Sequence, residues 1–142
     1  MLIKQLSVFV ENRRGKMTEI TESLASRGID LRALTLADTN EFGLLRIIVS
    51  KPDEAYALLR EAGFMVRVSE VIAIGVSDKP GEFAKATRII ADAGIDLEYL
   101  YGFASKKKEE AVIIMRLDQP GAGTAALRGG GFRIIGPDEI YD

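Results

Sequence analysis

Two short turns hold the residues best suited to bind a ligand: Asn12-Arg13-Arg14-Gly15 and Asp78-Lys79-Pro80-Gly81. Each stands between an apolar strand pattern and an amphipathic helical pattern. The first N–H groups of a helix lack partners within it, and the helix dipole favours an anion there by about 0.3–1 kcal/mol. A glycine beside those groups lets a ligand approach the backbone closely. A plainer reading makes Asn12 and Asp78 N-caps, with Gly15 and Gly81 only completing the turn. A second polar pair, Asp30 and Asp96, follows 18 residues after Asn12 and Asp78 (30 − 12 and 96 − 78). Each carboxylate opens a strand, where it either solubilises the connection or faces a ligand. Bare N–H groups and a carboxylate together suit the two ends of a zwitterion.

The composition excludes several other chemistries. With no Cys and no His, the chain has no disulfide, thiolate nucleophile, Cys/His zinc site or imidazole acid–base catalyst. The net charge of −2 lacks the basic excess of a nucleic-acid binder. Apolar runs such as 112–115 fall far short of the roughly 20 residues that span a bilayer. The chain begins directly in a strand pattern, so neither a signal peptide nor a membrane anchor is expected, and a cytoplasmic setting is the default.

The turns are positioned by a duplicated unit. Residues 10–31 align with 76–97 at a constant offset of 66, and 8 of 22 pairs are identical. After a hairpin two residues longer in the second copy, the offset becomes 68, and 52–64 match 120–132 with 6 of 13 identities. Alternation over 2–10 places Leu2, Leu6, Val8 and Val10 on one face and Gln5, Ser7 and Phe9 on the other, a strand with one well-buried face. Met17, Ile20, Leu24 and Ala25 recur at helical spacing, and Gly28 ends that helix. Residues 31–36 and 44–49 read as strands around a turn at 38–41; the second is apolar enough to be central. Pro52 opens another helix, with a stripe of Ala55, Leu58, Leu59 and Ala62, and Gly63 ends it. A short strand at 65–68 completes the copy.

The second copy predicts strands at 71–76, 97–103 and 111–117, and a helix stripe of Phe83, Thr87, Ile90 and Ala91. Its last helix, from Pro120, contains Gly121, Gly123 and Gly129-Gly130-Gly131. Each interior glycine costs about 1 kcal/mol relative to Ala, so a short or frayed helix is expected. The run Lys106-Lys107-Lys108 reads as a solvated hairpin tip. Both copies thus have the order β-α-β-β-α-β. The expectation is an α+β chain of two ferredoxin-like modules, 1–69 and 70–142, with antiparallel sheets and helices on one face. The face opposite the helices, carrying Phe9, Ile48, Ala73, Gly75 and Ile114, is expected to meet a second copy in a homodimer.

The stretch from Val10 to Gly15, then Met17, Ile20, Leu24 and Arg27-Gly28-Ile29-Asp30-Leu31, resembles an ACT domain. Within that family it is most similar to the regulatory subunit of acetolactate synthase. Ser77-Asp78-Lys79-Pro80-Gly81-Glu82-Phe83 resembles the commoner ACT turn. The resemblance covers the whole chain as two copies. It implies a ligand-sensing module for a small-molecule amino acid, acting on a partner enzyme of amino-acid metabolism, with no catalytic residues and no cofactor. It also implies a ligand site between the first turn of one module and the second-strand entrance of its neighbour. By position that selects Asn12, Arg14, Gly15, Met17, Asp30 and Leu31 in the first copy, and Asp78, Pro80, Gly81, Phe83, Asp96 and Leu97 in the second. The lean towards branched-chain regulation comes from the acetolactate synthase likeness. An alternative is an acylphosphatase-like enzyme, which shares the element order and places an arginine in the first turn; Arg13 or Arg14 would cradle the phosphate.

Overall fold

The computed structural model describes residues 2–38, 41–107 and 109–141. Thr39 and Asn40 of the expected first hairpin turn, and Lys108 of the lysine run, lie outside the described residues. The chain divides into two compact units. One, here the N-terminal module, comprises Lys4–Ser69 and Ile140–Asp142; the other, the C-terminal module, comprises Glu70–Glu139 and Met1–Ile3.

The N-terminal module contains β1 (Ile3–Glu11), α1 (Lys16–Ser26), β2 (Leu31–Asp38), β3 (Phe42–Val49), α2 (Pro52–Glu61) and the start of β4 (Met65–Ser77). Its strands run in the order β2-β3-β1-β4. β3 pairs antiparallel with both β2 and β1, so the apolar 44–49 segment is central as expected. The core joins one face of the sheet to the two helices. Leu6, Val8 and Val10 of β1 and Leu45, Ile47 and Val49 of β3 pack with Ile20 and Leu24 of α1 and Ala55 and Leu59 of α2. Burying one such Leu or Ile contributes about 1.5–3 kcal/mol. Ala25 and Ala62, placed in the stripes from spacing, are exposed, because methyl-sized side chains at the stripe's border do not reach the sheet.

The C-terminal module repeats this with the rest of β4, α3 (Glu82–Asp92), β5 (Leu97–Ala104), β6 (Glu110–Leu117), α4 (Pro120–Gly129), β7 (Arg133–Ile134) and the start of α5 (Pro137–Tyr141), whose last two residues belong to the N-terminal module. Here β6 pairs with β5 and β4, and β7 with β4, all antiparallel. Its core unites Ile72, Ile74, Val76, Met115 and Leu117 of the sheet with Ala86, Ile90 and Leu127 of the helices.

Five expectations need correction. The strands expected at 65–68 and 71–76 are one thirteen-residue strand, β4. No turn residue separates them, so nothing interrupts the extended backbone. The buried alanine of α3 is Ala86, at the position of Ile20, whereas Ala91 is exposed. Helix α4 spans ten residues, as α2 does. Its glycines do not shorten it because two of them admit neighbours: a Cβ at Gly123 would collide with Leu117, and at Gly130 the end of that helix would meet Ile89. Gln5 and Ser7, assigned to the open side of β1, are buried. So are Ile48, Ala73 and Ile114, each fully shielded within the single chain. Of the face set aside for a second copy, only Phe9 is substantially open. The strand β7 and helix α5 were not foreseen; two paired residues and one helical turn are too short to leave a period.

Candidate functional site

In both copies the first turn leaves the sheet in the same way. The N–H of Asn12 donates to the carbonyl of Glu41 (3.1 Å), and that of Asp78 to the carbonyl of Glu109 (2.8 Å). Both residues therefore still extend the ladder, β1 with β3 in one copy and β4 with β6 in the other. The N-cap of α1 is Gly15 and that of α3 is Gly81, neither with a capping side-chain hydrogen bond. The reading of Asn12 and Asp78 as N-caps is thereby corrected, since each lies three residues too early. Gly15 and Gly81 hold φ of +88° and +90°, a left-handed conformation that glycine reaches without steric penalty. No atom lies within 4 Å of where a Cβ would stand at either glycine. The glycines are required by the backbone, not by a close neighbour, and the space beside them is open.

Beside the first turn lies a hollow of about 120 Å³. Asn12, Gly15 and Met17 line it, together with Leu36 and Asp38 from the end of β2 and Gly43 from β3. The pairings Val10–Gly43 and Asp38–Gly43 set these chain ends side by side. Met17 is half-buried against the core. Arg13 is paired with Glu11 at 2.9 Å, which occupies the guanidinium an acylphosphatase-like site would need, and Arg14 is exposed. In the C-terminal module Asp78, Pro80 and Gly81 are exposed, and Phe83 packs on the core.

The second polar pair lies elsewhere. Helix α1 has eleven residues, so its ends stand about 16 Å apart at 1.5 Å per residue. Asp30 and Leu31 follow its C-terminal end, with Gly15 at the other. Within one module the turn and the β2 entrance are therefore not brought together, and the same holds for Asp96 and Leu97. The Asp30 carboxylate pairs with Arg32 (3.0 Å), while its N–H donates to Ser50 Oγ (2.9 Å). Arg32 in turn donates to the carbonyl of Tyr141. The N–H of Asp96 donates to Asp118 Oδ1 (2.9 Å). Leu31 is half-buried on the core, and Leu97 is 36% exposed. Leu36, Asp38 and Gly43 were missed. Their signal was the element order itself: in a split βαβ unit β2 runs parallel to β1, so its end, not its start, shares an edge with the turn after β1.

An antiparallel βαββαβ module that occurs twice, with an open glycine elbow before each first helix, defines a pair of ferredoxin-like domains. The chain belongs to the ACT domain pair family, which matches residues 1–127. It is similar over its whole length to protein BT0572 from Bacteroides thetaiotaomicron, with 35% identity, 97% of that chain covered and a TM-score of 0.94. In fold it is also similar to the regulatory subunit of aspartate kinase from Thermus thermophilus, with 18% identity, 90% and 93% of the two chains covered and a TM-score of 0.66. The corresponding subunit from Thermus flavus has 14% identity, 92% and 94% coverage and a TM-score of 0.63. No curated protein matches the chain in sequence. Among the described residues, no helix is long and apolar enough to cross a membrane.

Proposed function

We propose that this protein is a regulatory module that binds a free amino acid and carries no chemistry of its own. The observation that supports this reading is the pair of open left-handed glycines, Gly15 and Gly81, each at a helix N-terminus with empty space beside it. In the N-terminal module a hollow adjoins that turn, and Asn12, Gly15 and Met17 are its contribution to the site. Asp30 and Asp96 join a ligand only when they face the turn of a neighbouring module. The mechanism is linkage: the ligand favours one arrangement of the protein and shifts the population towards it. A partner enzyme of amino-acid metabolism reads the shift, with branched-chain metabolism favoured by the likeness of the first copy to the acetolactate synthase regulatory subunit. A homodimer would form through the β2 edge strand, where Leu34 and Leu36 are about half exposed, since an uncovered apolar edge invites pairing.

A thermal-shift screen of the twenty amino acids tests this reading. A ligand at 100 times its Kd stabilises by about 2.7 kcal/mol, which for a chain of this size raises Tm by about 5–10 °C. A screen in which no amino acid raises Tm at millimolar concentration refutes the proposal.

A further inference from the structure

Each module carries a cleft larger than the hollow beside Gly15. In the N-terminal module it lies between the end of β1, the start of β3, the first turn of α1 and the connection from α2 to β4, with a volume of about 250 Å³. Its counterpart in the C-terminal module measures about 240 Å³. All nine lining positions of the first map onto the nine of the second, through the offset of 66 before the long hairpin and 68 after it. The backbone setting is thus the same twice over, but the chemistry differs. Where the first cleft has Phe9, Phe42 and Met65, the second has Gly75, Glu110 and Arg133.

The second cleft supplies its own charges. Arg133 bonds Glu110 Oε1 at 2.5 Å and both carboxylate oxygens of Glu139 at 2.7 and 2.9 Å. Glu110 lies over Gly75, where a Cβ would come within 2.5 Å of its carboxylate. An arginine held by two carboxylates leaves a polar, internally satisfied lining. In the first cleft, Phe9, Phe42 and Met65 are 41%, 48% and 71% exposed. Large apolar side chains gathered in the open around one hollow mark a binding surface. Phe64 adds an aromatic wall, with the Lys16 ammonium 6.0 Å from its ring centre. Lys16 pairs with Glu19 at 3.3 Å, so a cation and an anion stand side by side in a hollow lined by polar and apolar groups in about equal measure. That arrangement complements a zwitterion with an apolar side chain. The volume, just below the usual range for small-molecule pockets, suits a ligand of single-amino-acid size.

We propose that the N-terminal cleft binds a free amino acid with an aromatic or large aliphatic side chain. The side chain packs on Phe9, Phe42 and Met65, the carboxylate meets Lys16 and the ammonium meets Glu19. The C-terminal cleft does not bind this class, because its ion cluster stands where the apolar wall would be. This assignment rests on the amino-acid-sensing reading and adds to it a site separate from the hollow beside Gly15, a ligand class and an asymmetry between the copies.

Isothermal titration of the full chain with L-phenylalanine, L-leucine and L-serine tests it. Phenylalanine or leucine should bind at a site in the N-terminal module that serine does not fill. Phe42→Glu, which installs the second copy's residue, should weaken binding at least about tenfold by placing a charge against the apolar side chain. Phe42→Leu, which keeps the lining apolar, should bind within about threefold of wild type, and covers the case in which Phe42→Glu does not fold. Glu110→Gln should leave affinity unchanged. Phenylalanine and leucine binding that is indifferent to Phe42→Glu overturns the assignment. Should only serine bind, with an affinity lowered by Gly15→Ala and not by Phe42→Glu, the regulatory reading stands and this cleft is excluded. Failure of all twenty amino acids to bind overturns both.

Discussion

Replacing Gly15 with alanine isolates the cost of the elbow from every other interaction in the turn. The residue sits at φ +88° and ψ −7° with no atom within 4 Å of the new methyl. No packing is lost and no clash is made. The penalty is therefore backbone strain alone, about 1–2 kcal/mol for an L-residue held in the left-handed region. Gly81, at φ +90° and equally open, should cost the same. Asparagine, which tolerates this conformation better, should recover part of the loss at either position. Urea denaturation read by circular dichroism measures the effect as a fall in midpoint at constant slope. A Gly15→Ala variant as stable as wild type, or an asparagine variant less stable than the alanine one, refutes the argument that conformation and not contact selects glycine here. The same methyl enters the space beside the helix N-terminus. If a ligand lies there, its affinity falls in Gly15→Ala by more than the loss of stability explains.

The other predictions concern the C-terminal module. The Arg133 guanidinium hydrogen-bonded to Glu110 holds that carboxyl below the usual glutamate range, with the Ser105 hydroxyl helping and burial opposing. A carboxylate depressed in the folded state stabilises fully above the ordinary glutamate range and loses that contribution as pH falls through the folded value. Glu110→Gln should accordingly destabilise by about 1–2 kcal/mol at neutral pH, and the difference from wild type should close on acidification below the ordinary range. A difference in urea midpoint that stays constant from neutral to acid pH contradicts this. Gly123→Ala drives a methyl into fully buried Leu117 and should cost about 1–3 kcal/mol. Gly121→Ala, in the same helix but with open space at its Cβ, should stabilise by about 0.4–1 kcal/mol. Thermal melts that rank the two variants in the opposite order count against the packing account of α4.

The parts legible in the sequence are those that repeat with a period. Alternation in β1 and three-to-four spacing in α1 and α2 place the elements because apolar side chains recur on the face that meets the other layer. The duplication supplied the second copy's elements even where its own signal was weak. What escaped depends on tertiary neighbours. The burial of Gln5, Ser7, Ile48 and Ala73 is not visible in a strand's own pattern, since alternation tells the two faces apart but not what covers the second. The persistence of α4 depends on Leu117 and Ile89 filling the space its glycines leave. At the candidate site, the turn residues follow from local chemistry, whereas Leu36, Asp38 and Gly43 reach it through the sheet order.

The two copies differ in a way that separates backbone from side-chain demands. Positive φ recurs at matched positions: Gly15 with Gly81, Gly28 with Gly94, and Gly63 with Gly131. Each pair keeps the residue that its conformation demands, so the chain path is held in common. The cleft linings, which the path does not constrain, have moved from Phe9, Phe42 and Met65 to Gly75, Glu110 and Arg133. The replacements are coupled. Glu110 needs the space that Gly75 leaves, and Arg133 needs the charge that Glu110 brings. Changing only one of the three would strand a charge or create a clash, costs of about 1–3 kcal/mol each. A coupled set of this kind is self-consistent without a ligand. The apolar set in the first copy leaves large side chains partly exposed, the surface proposed above for a ligand's side chain. Double-mutant cycles make the distinction measurable. Glu110 with Arg133 should show a strong coupling in stability without added ligand, whereas Phe42 with Met65 should show its coupling in ligand affinity instead.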